Sequence, residues 1–157
     1  MAAYHLTTGA PNHKLLAQVL EDIYKKHGYY KEGLLSITKT GKAGVEEIQA
    51  MMSNYRDNPP RKLGGFPVTM MKDYAVSKSY DFDNNTNTVI NLPTSNVLQF
   101  FTADGSKVTV RPSGTEPKIK FYFSVTTPVR KRAKISDEEA RLDEKIELLK
   151  KEMTLLS

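Results

Sequence analysis

The spacing of apolar residues along this chain switches between a helical and a strand period, and the switches mark its elements. Leu15, Leu16, Val19, Leu20, Ile23 and Tyr24 recur at three and four, which predicts a helix over 12–28. Asn12 stands where an N-cap belongs, and Gly28 where the helix ends. Such a stripe requires an apolar partner surface. Residues 29–33 read as a connector. Leu34-Leu35-Ser36-Ile37-Thr38 is a short, partly β-branched, strand-like run, followed by a turn-rich break over 39–44. A second helix is expected over 45–55, with Val45, Ile48, Met51, Met52 and Tyr55 on its buried side. Asp57-Asn58-Pro59-Pro60 stops it.

The middle of the chain is strand-like. Residues 66–74 make one candidate, with Pro67 placing its start at a sheet edge. Residues 81–87 are polar and read as a loop, and 89–92 is marginal. Two runs, 97–102 and 106–110, flank Ala103-Asp104-Gly105, the strongest hairpin signal in the chain. Ile119, Phe121, Phe123 and Val125 then alternate with Lys120, Tyr122 and Ser124, the cleanest period-2 run. A last helix opens with Ser136-Asp137-Glu138-Glu139, a capping box, and carries Leu142, Ile146, Leu149 and Met153 as its stripe. Asp137 with Arg141, and Glu147 with Lys151, are spaced as i,i+4 pairs. From about residue 34 onward the pattern is that of an α+β domain, an antiparallel sheet with helices packed on one face.

Composition narrows the function classes without choosing one. The 157 residues contain 39% hydrophobic and 26% charged positions, a globular rather than disordered balance. No run of about 18 apolar residues offers a membrane span, and the first residues lack the apolar core of a secretory signal. Cysteine is absent, which removes disulfides and thiolate metal sites and fits a cytoplasmic home. The net charge of +5 favours anionic partners, phosphosugars or nucleic acid among them. Part of it sits in Arg130-Lys131-Arg132-Ala133-Lys134, read as a solvated connector.

The densest chemistry lies in Arg111-Pro112-Ser113-Gly114-Thr115-Glu116-Pro117-Lys118, between two strand-like runs. Arg111 offers a planar fork of donors that matches two phosphate oxygens. Ser113 and Thr115 add short hydroxyl donors. Gly114 is expected to turn through positive φ and bring its N–H to the anion. Pro112 and Pro117 each fix one φ, so the loop loses less entropy when it binds.

This octet, with Ile119-Lys120-Phe121-Tyr122 after it, resembles the phosphate-binding signature of the C-terminal domain of the α-D-phosphohexomutases, the phosphoglucomutase and phosphomannomutase enzymes. The resemblance covers most of the chain. It implies that residues 1–33 are the tail of a preceding α/β domain, and that 34–157 form the fourth, C-terminal domain. It further implies that Arg111, Ser113, Thr115, Lys120 and, more weakly, Lys118 hold the non-reacting phosphate of a hexose phosphate, with Gly114 giving its N–H. Lys120 keeps the family's positive charge on this strand without the guanidinium's planar fork. Glu116 cannot bind an anion and is expected to tie the loop to nearby donors.

The same resemblance implies an intact enzyme that moves a phosphoryl group through a phosphoserine, with Mg²⁺, on glucose or mannose 1- or 6-phosphate. The serine loop, the Asp-rich Mg²⁺ loop and the sugar-recognition loop have no counterpart among these residues. The chain therefore reads as an inactive fragment, without catalytic residues or metal ligands, that packs against the enzyme's other domains. It is expected to bind neither nucleic acid nor membrane. Asp81-Phe82-Asp83 has carboxylates that could touch a cation but lacks the mutase pattern, and reads as a solvated loop. Two rival readings use other features. A nucleic-acid module would stack bases on the sheet, where only Tyr122 of the three consecutive aromatics faces outward. A protein-interaction module would use the amphipathic helices at 12–28 and 136–153.

Overall fold

Strands whose side chains alternate between apolar and polar make a sheet with one dry face and one wet face. A computed structural model describes residues 16–127 and 135–156. Its elements are α1 (Leu16–His27), β1 (Tyr29–Thr38), α2 (Gly41–Asp57), β2 (Lys62–Leu63), β3 (Phe66–Asp73), β4 (Lys78–Asp81), β5 (Thr86–Val89), β6 (Leu98–Thr102), β7 (Lys107–Pro112), β8 (Lys118–Thr127) and α3 (Ile135–Leu155). The strands form one sheet in the order β1-β8-β7-β6-β3-β4-β5, with β2 paired to β3. Every pairing is antiparallel. The protein is thus an α+β fold.

The dry face is the core. Ile119, Phe121, Phe123 and Val125 of β8 are fully buried, beside Val108 and Val110 of β7 and Leu98 and Phe100 of β6. Ile48, Met51, Met52 and Tyr55 of α2 cover them, together with Leu142, Ile146, Leu149 and Met153 of α3, in one continuous cluster. Tyr55 packs nearly perpendicular to Phe121, with ring centroids 6.1 Å apart. Its hydroxyl donates to the Met153 carbonyl at 2.7 Å, which joins the two helices through one buried bond. Burial pushes the Tyr55 phenol well above its ordinary pKa. Gly33 lies beneath α3: a β-carbon there would stand 2.7 Å from Cγ2 of Ile146, so only glycine lets the helix sit this close to β1.

A polar knot closes the end of the sheet nearest the β6–β7 turn. Lys145 of α3 pairs with Asp104, and its ammonium also donates to Ser106 Oγ at 2.7 Å. Asp104 accepts further bonds from the Thr102 hydroxyl at 2.7 Å and the Ser106 N–H at 3.3 Å. Burial alone would raise the Asp104 pKa. The bonds from Lys145 and Thr102 outweigh it and hold the carboxyl below the usual carboxylate value.

Several elements differ from the sequence expectation. Residues 29–33 are not a connector; they are the first half of β1, paired from Tyr29↔Thr127 to Gly33↔Phe123. α2 begins at Gly41 rather than 45, because two early glycines hid a helical first turn. β3 is an interior strand, and Pro67 is accommodated at its start, where the partner is the two-residue β2. The stretch expected to be a polar loop over 81–87 is a hairpin, β4 to β5, whose turn is organised by Asp81. That carboxylate accepts the Asp83 and Asn84 N–H groups, each at 3.0 Å, and the Asn84 side-chain amide at 2.8 Å. These bonds hold the Asp81 pKa below its ordinary value. α3 opens at Ile135, so Ser136 lies in its first turn rather than at its cap. The ion pairs within α3 are Arg141–Glu138, whose carboxylate is buried, and Lys150–Glu147, at i,i+3 spacing instead of the expected i,i+4. Gly28 does end α1, with φ +87° and its N–H on the Tyr24 carbonyl at 2.8 Å. Leu16, Val19, Leu20 and Ile23 of α1 are exposed. Asn12, Leu15 and the basic cluster at 130–134 lie outside the described residues.

Two stability tests follow from this core. Phe121→Ala removes a fully buried ring and is expected to cost about 3–5 kcal/mol in urea unfolding, whereas Tyr55→Phe, which strands one buried carbonyl, costs about 1–2 kcal/mol. The Asp104 knot adds a pH signature. A carboxylate with a depressed folded pKa stabilises the protein above its unfolded pKa of about 4, and loses that contribution as pH falls through the folded value. Asp104→Asn should therefore be less stable than the parent at neutral pH, and the gap should narrow below about pH 4 when both are unfolded by urea across that range.

Candidate functional site

The wet face of the sheet carries the octet. In the β7–β8 ladder Arg111 stands directly opposite Lys120, and Pro112 opposite Ile119. The loop between the strands is closed by its own backbone. The Ser113 N–H donates to the Lys118 carbonyl at 2.7 Å, and the Lys118 N–H to the Glu116 carbonyl at 2.7 Å. The Thr115 N–H reaches Ser113 Oγ at 3.4 Å. A bond from outside ties the end of the loop to the neighbouring strand: the Lys39 N–H, just past β1, donates to the Pro117 carbonyl at 2.8 Å.

A cleft of about 310 Å³ opens above it. Arg111, Ser113, Gly114, Thr115 and Lys120 all line it, with Pro112 at the hinge and Tyr122 as a further wall. Five of the six residues expected from the sequence are therefore brought together. Lys118 is not in the lining; its ammonium is paired with Glu116 at 3.1 Å. That ion pair is the tie expected of Glu116, and it leaves the carboxylate outside the cleft. Among the described residues, Arg111 and Lys120 have no acidic partner. Two cations facing a concave pocket with no carboxylate in its wall produce a field that draws anions. Lone like charges opposite one another on a ladder also repel, so an anion between them relieves a cost built into the sheet.

Gly114 departs from the expectation. Its φ is not in the left-handed region, and a β-carbon built there would meet nothing within 4 Å. The turn does not need glycine for its backbone angles. What the missing side chain leaves is an unobstructed approach to the loop's N–H groups. Tyr122 was legible only indirectly: period-2 alternation puts it on the face of Lys120, two residues along the same strand. Asp81 and Asp83 form no cation cage, since Asp81 is occupied by its own turn. Among the described residues no cluster of three or more His, Asp or Glu could hold a metal ion, and no helix is long and apolar enough to cross a membrane.

The family model for the phosphoglucomutase/phosphomannomutase C-terminal domain matches residues 37–142, which include the whole loop and the strand after it. The chain belongs to this family. It is 41% identical over 115 residues to a phosphoglucomutase of Staphylococcus aureus (strain bovine RF122 / ET3-1), and 40% identical over 112 residues to that of strain MSSA476. These matches cover 73% and 71% of the chain, which spans about a fifth of the relatives' own length, 21% and 20%. Among solved structures the fold matches that of the exocytosis-sensitive phosphoprotein pp63/parafusin, a phosphoglucomutase from Paramecium, in its open form. The TM-score is 0.52 at 13% identity, over 97% of this chain and 24% of that one. That likeness concerns the fold alone.

The geometry at Gly114 gives a direct test. Gly114→Ala is expected to leave the thermal midpoint within about 2 °C of the parent, because neither φ nor space forbids a methyl group. Gly28→Ala, forced to keep φ +87° with its new β-carbon 3.2 Å from the Thr127 carbonyl, should lose about 1–2 kcal/mol.

Proposed function

We propose that this chain is the phosphate-anchoring part of a phosphohexomutase that interconverts the 1- and 6-phosphates of glucose or mannose. The observation that carries the reading is the pair Arg111 and Lys120, set opposite each other and unpaired, above a loop of hydroxyls and open N–H groups, in a chain of this family. In the mutase scheme a hexose phosphate gives and receives a phosphoryl group at a serine and binds in two orientations. The phosphate that is not reacting needs an anchor at a fixed distance from that serine. Arg111 would take two of its oxygens with the planar fork, and Lys120 would add a point charge. Ser113 and Thr115 would donate hydroxyls, and Gly114 its N–H. Such remote binding orients the sugar and lowers the entropy cost of the reaction step. Lys118, neutralised by Glu116, would act at most through the general field.

In this reading the chain binds a sugar phosphate and transfers nothing. The serine, the sugar-recognition loop and the ligands of Mg²⁺ would come from the rest of the protein. Among the described residues no cluster of three carboxylates or histidines would offer such a site. The α1 helix would belong to the neighbouring domain and pack against it, and the whole protein would work in the cytoplasm. The choice between glucose and mannose would be made by the sugar loop.

A charge-assisted hydrogen bond nets about 1.5–3 kcal/mol, and three or four of them must offset the loss of rotational and translational freedom. The isolated chain should therefore bind glucose 1-phosphate at roughly millimolar Kd, about −4 kcal/mol. In a ¹⁵N NMR titration the shifts should concentrate at residues 111–120. Arg111→Met or Lys120→Met should weaken binding at least about tenfold, the loss of one such bond. An unchanged loop at 20 mM ligand, or tighter binding of a DNA oligonucleotide than of the sugar phosphate, would refute the assignment.

A further inference from the structure

Tyr122 lines the same cleft as Arg111 and Lys120 but carries no charge. It is exposed, and among the described residues its hydroxyl has no hydrogen-bond partner. Its cross-strand neighbours on the wet face are Leu34 of β1 and Thr109 of β7. The row before it, nearer the loop, is Ser36, Lys120 and Arg111. The wet face thus carries two adjacent rows, one cationic and one with an apolar stretch made by Leu34, itself exposed, and the phenol ring. Two residues along a strand separate the rows by about 6–7 Å. A hexose phosphate has the same two parts in the same order, a dianion and a ring with C–H faces. Ring faces carry negative charge and attract polarised hydrogens, and a tyrosine adds a polar tip for a hydroxyl.

We propose that Tyr122 is a sugar-contacting residue, the wall against which the hexose ring lies when its phosphate is held by Arg111 and Lys120. The inference rests on the phosphate-anchoring reading and deepens it. Arg111, Lys120 and the loop bind the anion, and Tyr122 distinguishes a phosphate that carries a sugar from one that does not. The side chain acts by contact, and the substrate class is a pyranose phosphate rather than free phosphate.

The test compares two ligands, glucose 1-phosphate and inorganic phosphate, titrated into the 157-residue chain and its Tyr122→Leu and Tyr122→Phe variants by NMR. The parent should prefer the sugar phosphate. Tyr122→Leu should erase most of that preference, about fivefold, while affinity for inorganic phosphate stays within twofold. Tyr122→Phe, which keeps the ring, should retain most of it. In the parent, nuclear Overhauser contacts should join the Tyr122 ring protons to sugar C–H protons, a readout that needs no variant to fold. Equal weakening of both ligands, an unchanged preference, or missing ring-to-sugar contacts in a bound complex would overturn the role of Tyr122 and leave the phosphate cradle standing. A parent that binds neither ligand would overturn both.

Discussion

The register of one ladder, β7 on β8, positions the side chains of the candidate site. It sets Arg111 opposite Lys120, an arrangement that two like charges would not choose. The register cannot relax because the other face of β8 is locked into the core. A slip of one residue would drive Lys120 and Tyr122 into the layer occupied by Phe121 and Phe123, and expose those rings to water. Burying aromatic and branched side chains is worth several kcal/mol, far more than the repulsion of two solvated cations. The dry face therefore enforces the wet one, and the electrostatic cost is left to be met by whatever anion enters the cleft.

The loop's own architecture follows from the same sheet. Its ends are strands in register, its interior bonds run from Ser113 to Lys118 and from Lys118 to Glu116, and its last residue, Pro117, is tied to Lys39. Glu116 and Lys118 neutralise each other, and the octet's one carboxylate stays out of the cleft lining. Few degrees of freedom remain to be frozen on binding, the condition under which modest contacts still yield affinity. In the function proposed above, anchoring and chemistry would be divided between parts of a larger protein, and the curated relatives are about three and a half times the length of this chain.

How much of this could be read from the sequence depends on which residues had an inside and an outside. β8 was legible because Ile119, Phe121, Phe123 and Val125 are all buried and their neighbours are not. The hairpin of β6 and β7 was legible from Asp104-Gly105 between two such runs. β5 was not, because all four of its residues are exposed and a strand without a dry face has no alternation to show. The first half of β1 was hidden for a related reason: Tyr29 to Gly33 includes a charged pair and a glycine, and its pairing with β8 is set by a partner nearly a hundred residues away. At the site, the donors could be named from their chemistry. Their arrangement could not, and two details changed with it: Lys118 turned to Glu116, and Gly114 proved to be an opening rather than a left-handed turn.

The enforced juxtaposition of Arg111 and Lys120 makes stability and binding oppose each other, and one unfolding experiment reads both. The thermal midpoints of the parent and of Lys120→Thr would be compared with and without glucose 1-phosphate well above its Kd. If the pair is a cradle held ready for an anion, the variant, freed of repulsion, melts at or above the parent without ligand. Ligand then raises the parent by mass action and leaves the variant nearly unchanged, so the order reverses. A parent that is already the more stable of the two without ligand, and that gains nothing from the sugar phosphate, would show that the two cations are ordinary surface charges.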